Sequence, residues 1–426
     1  MNAFSFEVSD VPALCQILKV MRFGYNLAHR LILSGMPMRF FNRFLLRLLF
    51  NTELVSTELV GTALVCIALA ASSGLYAEEK ARPDDRAPVG VIDDHTEQQG
   101  ELIFSYRILS AAMEDNLDGS KHLAASQVLA GGANTGEYMV APLEMKVDTH
   151  LLSLMYGLND IITMGFSVPY LKIEMLHAIG PMHPTHANET FSLQTEGLGD
   201  LKLTGIVTVE KSETRTKLFN LGVSFPSGSI DKKDDIPVLP TLGRTQLPLP
   251  MQLGSGTLDF SPGFTYHKIL ESRSWGSQFS ALIRLNENEN GYALGDRVQA
   301  SIWHSWTMNK ELSLSTRLTH EQWANATDDD NKLELPKTMT MGAIEVLTLP
   351  TMDPENQGGQ KTDVALGANT VFGSADTHRI ALELNIPVYE SLHGPQIDRD
   401  LSFTLGYQIS LMPKSSIPSS KPDHAQ

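Results

Sequence analysis

Residues 401–411 read LSFTLGYQISL, in which apolar side chains alternate with small or polar ones. A period of two is the period of a β-strand, which presents successive side chains to opposite faces of a sheet. Such a pattern suits a strand that has lipid on one side and a wet lumen on the other. We predict that the apolar set faces lipid: Leu401, Phe403, Leu405, Tyr407, Ile409 and Leu411. The alternate set is predicted to face the lumen: Ser402, Thr404, Gly406, Gln408 and Ser410.

The same rhythm recurs through the chain from about residue 100, and no convincing amphipathic helix interrupts it. In 217–226, for example, Phe219, Leu221 and Val223 alternate with Asn220 and Gly222. The faces of 297–308 are ambiguous. Twelve strands are predicted, at 100–113, 144–157, 161–171, 200–210, 217–226, 257–269, 275–286, 297–308, 311–323, 361–373, 378–388 and 401–411.

The connections between these strands alternate strictly between short and long. Only GLND (157–160) joins strands two and three, and SADTH (374–378) joins strands ten and eleven. The long connections are 114–143, 172–199, 227–256, 287–296, 324–360 and 389–399. Short turns at one end and long loops at the other are typical of an outer-membrane barrel.

We therefore predict an all-β fold, a closed antiparallel up-and-down transmembrane β-barrel of about twelve strands. A soluble β-sandwich does not call for strict alternation of loop lengths, and a lipocalin-like barrel needs only eight strands. A twelve-strand barrel encloses a lumen too wide for its apolar side chains to fill, so those side chains belong outside, in lipid. Closure also pairs every backbone donor and acceptor, as a bilayer requires.

The N-terminal region has the order of a secretory signal. Arg39, Arg43 and Arg47 precede an apolar stretch at 59–74, and LYA at 75–77 ends in a small residue suited to cleavage. We predict a leader at 1–77, with Met36 or Met38 as an alternative start, and a membrane anchor as the competing interpretation. Both cysteines lie within this leader. The barrel would therefore form no disulfides after export.

The predicted barrel and its cleaved leader together imply the outer membrane of a Gram-negative bacterium, with lipid bilayer, barrel-assembly machinery and small solutes as partners. The predicted order is a leader at 1–77, a periplasmic segment at 78–99, the barrel at 100–411 and a flexible tail at 412–426. The net charge of −16 makes nucleic acid a poor partner. We expect no cofactor and no enzymatic activity, because no G-x-S-x-G or H-E-x-x-H motif occurs.

Several segments of the chain together form a familiar pattern. They include APVGVIDDH (87–95), GLGDLKLTG (197–205), FPSGSIDKKDD (225–235) and MQLGSGTLDFSPGFTY (251–266). This pattern resembles the transporter-like outer-membrane family named for the meta-pathway of phenol degradation. The resemblance spans about residues 87–411 and implies a barrel that passes small, often aromatic, molecules. We expect small hydrophobic or aromatic molecules to pass by passive diffusion; the alternative is an outer-membrane binding barrel without a pore, which captures metal at the surface or has a structural role in the envelope. The tail departs from this class of barrel, because outer-membrane barrels typically finish on an aromatic residue of the last strand.

Two groups of residues are candidate sites. The lumen-facing charges are expected either to set selectivity or to pair across strands and fill the interior. The loop MLHAIGPMHPTHANET (175–190) offers imidazole and thioether groups of the kind that copper or silver accepts, or is simply a polar loop. The lumen candidates are Arg284, Arg317, Glu321, Arg379 and Glu383, and the metal candidates are Met175, His177, Met182, His183 and His186.

Overall fold

The computed structural model describes residues 82–131, 136–238, 243–327, 338–341, 344–373 and 377–411. They belong to one compact unit, Ile67–Gln426. The predicted leader and the predicted tail lie outside the described residues. Among the residues described, no helix has the length and apolar character needed to cross a bilayer.

Eleven strand elements form the barrel wall. They are β1 (Leu102–Gly119), β3 (Val140–Gly157), β4 (Ile162–Ile179), β6 (Leu201–Lys211), β7 (Arg215–Phe225), β10 (Asp259–Ile269), β11 (Arg273–Arg284), β12 (Arg297–Thr307), β13 (Leu312–Trp323), β16 (Gly359–Phe372) and β17 (His378–Leu411). Six further strands lie in or beside the long connections: β2 (Lys121–Leu123), β5 (Thr190–Leu198), β8 (Lys233–Asp235), β9 (Arg244–Gln246), β14 (Thr338–Met341) and β15 (Ile344–Leu347).

Strand β17 doubles back on itself and thereby completes the barrel. Its first arm (378–392) pairs with β16, and its second arm (396–411) pairs with β1 from Leu102↔Leu411 onward. The arms meet each other, since the Ser410 N–H donates to the Thr377 carbonyl at 2.9 Å. Every pairing between wall strands is antiparallel, which a closed up-and-down barrel achieves only with an even number of passes. The twelve predicted strands are therefore all present.

The two faces of the wall differ as the period-two pattern predicts. Phe219 and Phe279 are 43% and 55% exposed on the outside, whereas their neighbours Asn220 and Gln278 are buried inside. The ambiguous strand is also resolved, because Ile302 points outward and Trp303 lies buried in the lumen. An apolar exterior around a polar interior is the arrangement of a transmembrane barrel.

The short turns lie at one end, called here the short-turn end, and two of them share one device. Asn159 Oδ1 accepts the backbone N–H groups of Ile161 and Ile162, each at 2.9 Å. Asn309 Oδ1 does the same for Glu311 and Leu312, at 2.8 and 2.9 Å. An Asn side chain that replaces a backbone acceptor in this way favours a tight reversal.

The opposite, loop end is more ordered than the sequence suggests. Strands β1, β3 and β4 run several residues beyond their predicted ends, and β5 extends the wall where a loop was predicted. The long loops fold together over the mouth around an apolar cluster that includes Met139, Met175, Ile236, Val238, Leu247 and Met251. We call this the loop cluster. The loop at 229–256 contributes to it from its described residues.

Candidate functional site

The segment 82–101, called here the plug, lies inside the barrel. The sequence predicts a periplasmic segment at 78–99, and residues 82–99 of it contact the turns and the lumen here, while the periplasmic assignment stays a prediction. Arg82 donates to the Leu270 carbonyl in the β10–β11 turn at 2.9 Å, and the Gln99 N–H donates to Asp160 Oδ1 in the β3–β4 turn at 3.1 Å. Both ends of the plug are thus fixed at the short-turn end of the barrel, each at a different turn.

The middle of the plug crosses the lumen and meets a buried ion pair. Glu383 on β17 accepts the Gly90 N–H at 3.1 Å and also pairs with Arg317 on β13, whose Nε donates at 2.8 Å. A Cβ on Gly90 would lie 2.3 Å from Arg317 Nη2, so a side chain here would displace the Arg317 guanidinium. A Cβ on Gly406 would likewise lie 2.6 Å from Val89 Cγ2. The closing strand therefore makes room for the plug.

A charged cluster within the plug, called here the latch, holds its fold. His95 Nδ1 lies 2.8 Å from Asp94 Oδ1, and His95 Nε2 lies 2.7 Å from both Glu97 Oε1 and Arg86 Nη1. Asp94 also accepts the Ala87 N–H at 2.7 Å. Burial and the Arg86 charge oppose protonation of His95, but the carboxylates of Asp94 and Glu97 outweigh them and raise its pKa to about 9.

Between the plug and the loop end lies a polar cavity of about 410 Å³, called here the inner chamber. Plug residues Gly90 and Ile92 line it. Its charges are largely paired, since Lys202 contacts Asp93 at 3.2 Å and Arg284 pairs with Asp259. The remaining lining is mostly small and polar, with Asn220, Ser224, Ser261, Gln278, Ser280 and Gln299.

A second cavity of about 250 Å³, the outer chamber, lies beneath the loop cluster. Its apolar lining is formed by Met113, Met145, Met175, Leu249, Leu294 and Ile397. Its charged lining is formed by Arg297, Glu321, Lys361, Glu390 and Arg399. Arg297 and Glu321 line both chambers, so the two cavities adjoin at this pair.

Asp200 ties three loops together at the edge of the inner chamber. Its Oδ1 accepts the Gly228 N–H at 2.9 Å, and its Oδ2 accepts the N–H and hydroxyl of Ser255 at 2.7 and 2.8 Å. These residues come from GLGDLKLTG, FPSGSIDKKDD and MQLGSGTLDFSPGFTY, which are far apart in the chain. Three of the segments that carry the family resemblance thus meet at one carboxylate.

The five predicted lumen charges all face inward, but they do different things. Arg284 and Glu321 line the chambers, where Glu321 pairs with Lys361 at 3.1 Å. Arg317, Glu383 and Arg379 instead hold the plug, since Arg379 reaches Asp85 at 3.5 Å and the Ala87 carbonyl at 3.3 Å. A role of these residues in selectivity stays a prediction.

The predicted metal residues are not brought together as one ligand set. Met175 is buried in the loop cluster, and His177 stacks on Phe191 with ring centroids 4.8 Å apart. His183 Nδ1 accepts the His186 N–H at 3.1 Å, and His186 Nδ1 contacts Glu189 at 2.9 Å. Met182 packs against the loop cluster. Within the described ranges, no group of three or more His, Cys, Asp or Glu side chains could hold a metal ion.

Sequence reasoning missed the plug and the latch, although both lie in the quoted APVGVIDDH segment. A segment that crosses a lumen has no strand periodicity, so pattern analysis treats it as a linker. Gly90 and the adjacent charged DDH triplet, Asp93, Asp94 and His95, were the available signals. Their role in the plug can be inferred only from the fold, which places Gly90 beside Arg317 and Glu383.

Fold and lumen together define a closed, plugged β-barrel. No protein-family model matches the sequence, and no curated protein is significantly similar to it. Solved structures of similar fold include an outer-membrane channel from Pseudomonas putida F1, at 13% identity and a TM-score of 0.47, covering 74% of this chain and 97% of that chain. The Pseudomonas putida toluene transporter TodX matches at 11% identity and a TM-score of 0.38, covering 80% and 100%. A Pseudomonas aeruginosa FadL homologue matches at 9% identity and a TM-score of 0.35, covering 73% of this chain and 90% of that chain.

Proposed function

We propose that this protein is an outer-membrane channel that passes small hydrophobic or aromatic molecules by passive diffusion, with the plug as its gate. The observation that carries the proposal is the pair of adjoining chambers inside the barrel, the outer one half apolar and the inner one polar. A solute would enter beneath the loop cluster, pass Arg297 and Glu321, and leave at the short-turn end once the plug moves.

The barrel exterior supports a location in a lipid bilayer. Large apolar side chains around the wall are exposed, with Ile302 at 58% and Val388 at 58%. A soluble monomer rarely leaves so much contiguous apolar surface in water. Export through a cleaved leader and insertion by the barrel-assembly machinery are part of the same proposal.

Transport by purified protein in liposomes tests this function. The chain 78–426 should admit toluene or phenol slowly, and a variant that begins at residue 99, and so lacks most of the plug, should admit them faster and conduct ions. A deletion of 412–426 is the control, because it also removes a terminal segment but leaves the plug intact. If the plug-deleted barrel forms no channel in planar bilayers, the channel proposal is wrong.

A barrel that binds solutes without an open pore is the second candidate. It is favoured by the closure of both ends of the lumen, by the plug at one and the loop cluster at the other. The same experiment separates the two functions, since a binding barrel would retain solute without releasing it across the membrane. Either function requires no chemical conversion of the solute.

A further inference from the structure

Arg399 places a cationic side chain in the wall of the outer chamber without a hydrogen-bond or ion-pair partner for its guanidinium among the described residues. The Arg399 N–H donates to Glu390 Oε2 at 3.1 Å, and the guanidinium interacts electrostatically with Glu390 and Glu321 from beyond ion-pair distance. Its neighbour Asp398 directs Oδ2 toward His122, at 3.5 Å. A guanidinium held in a cavity wall can accept a planar anion through two parallel hydrogen bonds.

The other cations of the outer chamber are already paired. Lys361 lies 3.1 Å from Glu321 and 3.8 Å from Asp363, and Arg297 lies 3.5 Å from the same Glu321. Three cations and two carboxylates thus line the chamber, and one carboxylate serves two cations. The lining thus carries one more cation than carboxylates, which favours an anionic ligand group over a cationic one.

The wall beside Arg399 suits an apolar ligand body, because Met113 pairs with Arg399 in the β1–β17 register, and Met145 and Met175 follow in register on the next two strands. Met113, Met145 and Met175 form much of it, and methionine side chains adapt to irregular shapes and contact aromatic rings favourably. The volume of about 250 Å³ is below the usual range of drug-sized pockets, which indicates a small body such as a single ring. Trp323 also lines the chamber, close to where the ligand would lie.

We infer that the outer chamber is a recognition site for small amphiphiles with a carboxylate head, in which Arg399 binds the head and the methionine wall binds the body. This inference rests on the proposed function, because it names the class of solute that enters first. It assigns specificity to a residue that is outside the predicted lumen set. Neutral solutes would still pass, but with weaker retention.

Phenylpropanoate, phenylpropanol and phenylpropylamine share one body and differ only in the head group, so they test the inference. Each is titrated into the protein in lipid nanodiscs at pH 7, and Trp323 emission is followed by difference from a Trp323→Phe protein. We expect phenylpropanoate to bind about tenfold more tightly than phenylpropanol, because a charge-assisted pair adds roughly that factor. Phenylpropylamine should bind most weakly.

Arg399→Gln should remove the preference for the carboxylate, so that phenylpropanoate binds no more tightly than phenylpropanol. Arg215→Gln, at a turn of the short-turn end, is the matched control and should keep the preference. Equal affinity for phenylpropanoate and phenylpropanol in the unaltered protein, or an unchanged preference in Arg399→Gln, would overturn the inference. Phenylpropanol uptake into liposomes is measured separately, so a failed channel and a failed head-group preference give different results.

Discussion

Gly406 decides by its missing side chain how closely the plug approaches the closing strand. A Cβ there would lie 2.6 Å from Val89 Cγ2, a separation that atoms do not adopt without displacement. Gly406 lies on the lumen face of the strand, where the alternating pattern places small residues. Glycine at 406 thus fits the lumen-facing pattern of the strand and also leaves space for Val89 of the plug.

We predict that Gly406→Val displaces the plug and raises ion conductance about tenfold. Overpacking of this kind costs about 1–3 kcal/mol, and 1.4 kcal/mol changes a population tenfold. Single-channel recording measures the effect. Gly205→Val is the control, because the nearest atom to a Cβ at Gly205 is Met164 Sδ at 3.8 Å, and it should leave conductance unchanged. Equal conductance in the two variants would contradict the role of Gly406.

His95 makes the stability of the plug depend on pH. Its folded pKa of about 9 exceeds the ordinary 6.5, so its protonation stabilises the plug fully below pH 6.5 and this contribution is lost as pH rises through 9. Burial raises the pKa values of Asp94 and Glu97, but their charged partners, chiefly His95 for Asp94 and Arg86 for Glu97, lower both overall. The stability that these carboxylates give the plug is therefore lost only when the pH falls below the usual pKa range of a carboxyl group.

We predict that channel opening increases between pH 7 and pH 10 in the unaltered protein. His95→Gln should abolish this step, because glutamine cannot carry the charge that Asp94 and Glu97 stabilise. Liposome flux measured at matched ionic strength reports the effect. His320→Gln serves as the control, since His320 lies on β13 and contacts Thr362 rather than the plug. A pH step that persists in His95→Gln would show that another group controls the plug.

At the scale of the element, the second arm of β17 depends on its outward face. Leu401 and Leu405 are 46% and 42% exposed, whereas Thr404 between them is buried in the lumen. The period-two pattern predicts this facing because one face meets lipid and the other meets polar groups. The pattern places all twelve strands within a few residues, apart from the extensions at the loop end.

Leu401→Asp or Leu405→Asp is expected to prevent assembly of the barrel, because a charge on the lipid face must be transferred into hydrocarbon. Ser402→Asp is the control, since its side chain points into the lumen, and it should assemble. Heat-modifiability on gels, with boiled and unboiled samples compared, measures the folded fraction. Normal insertion of the two leucine variants would mean that the strand faces the other way.

Two closures govern the lumen of the protein, the plug at the short-turn end and the loop cluster at the loop end. Neither was predictable from periodicity, because the plug and the loop cluster gain their stability from contacts between residues far apart in sequence. The Gly90 bond to Glu383 spans 293 residues, and the Thr195 hydroxyl donates to the Met251 carbonyl at 2.8 Å across 56 residues. The charged lumen residues were placed on the correct face, but their partners were not predicted.

The close approach of Val89 to Gly406 also offers chemical control over the protein. Cys15 and Cys66 are the cysteines of the chain, and both precede the barrel, so two thiols introduced at 89 and 406 would have no competing partner there. Their Cβ atoms would lie within reach of a disulfide. Under oxidation, Val89→Cys with Gly406→Cys should hold the barrel shut, and dithiothreitol should release it within one recording. The fold thereby provides a site for a reversible, redox-operated valve in a synthetic membrane.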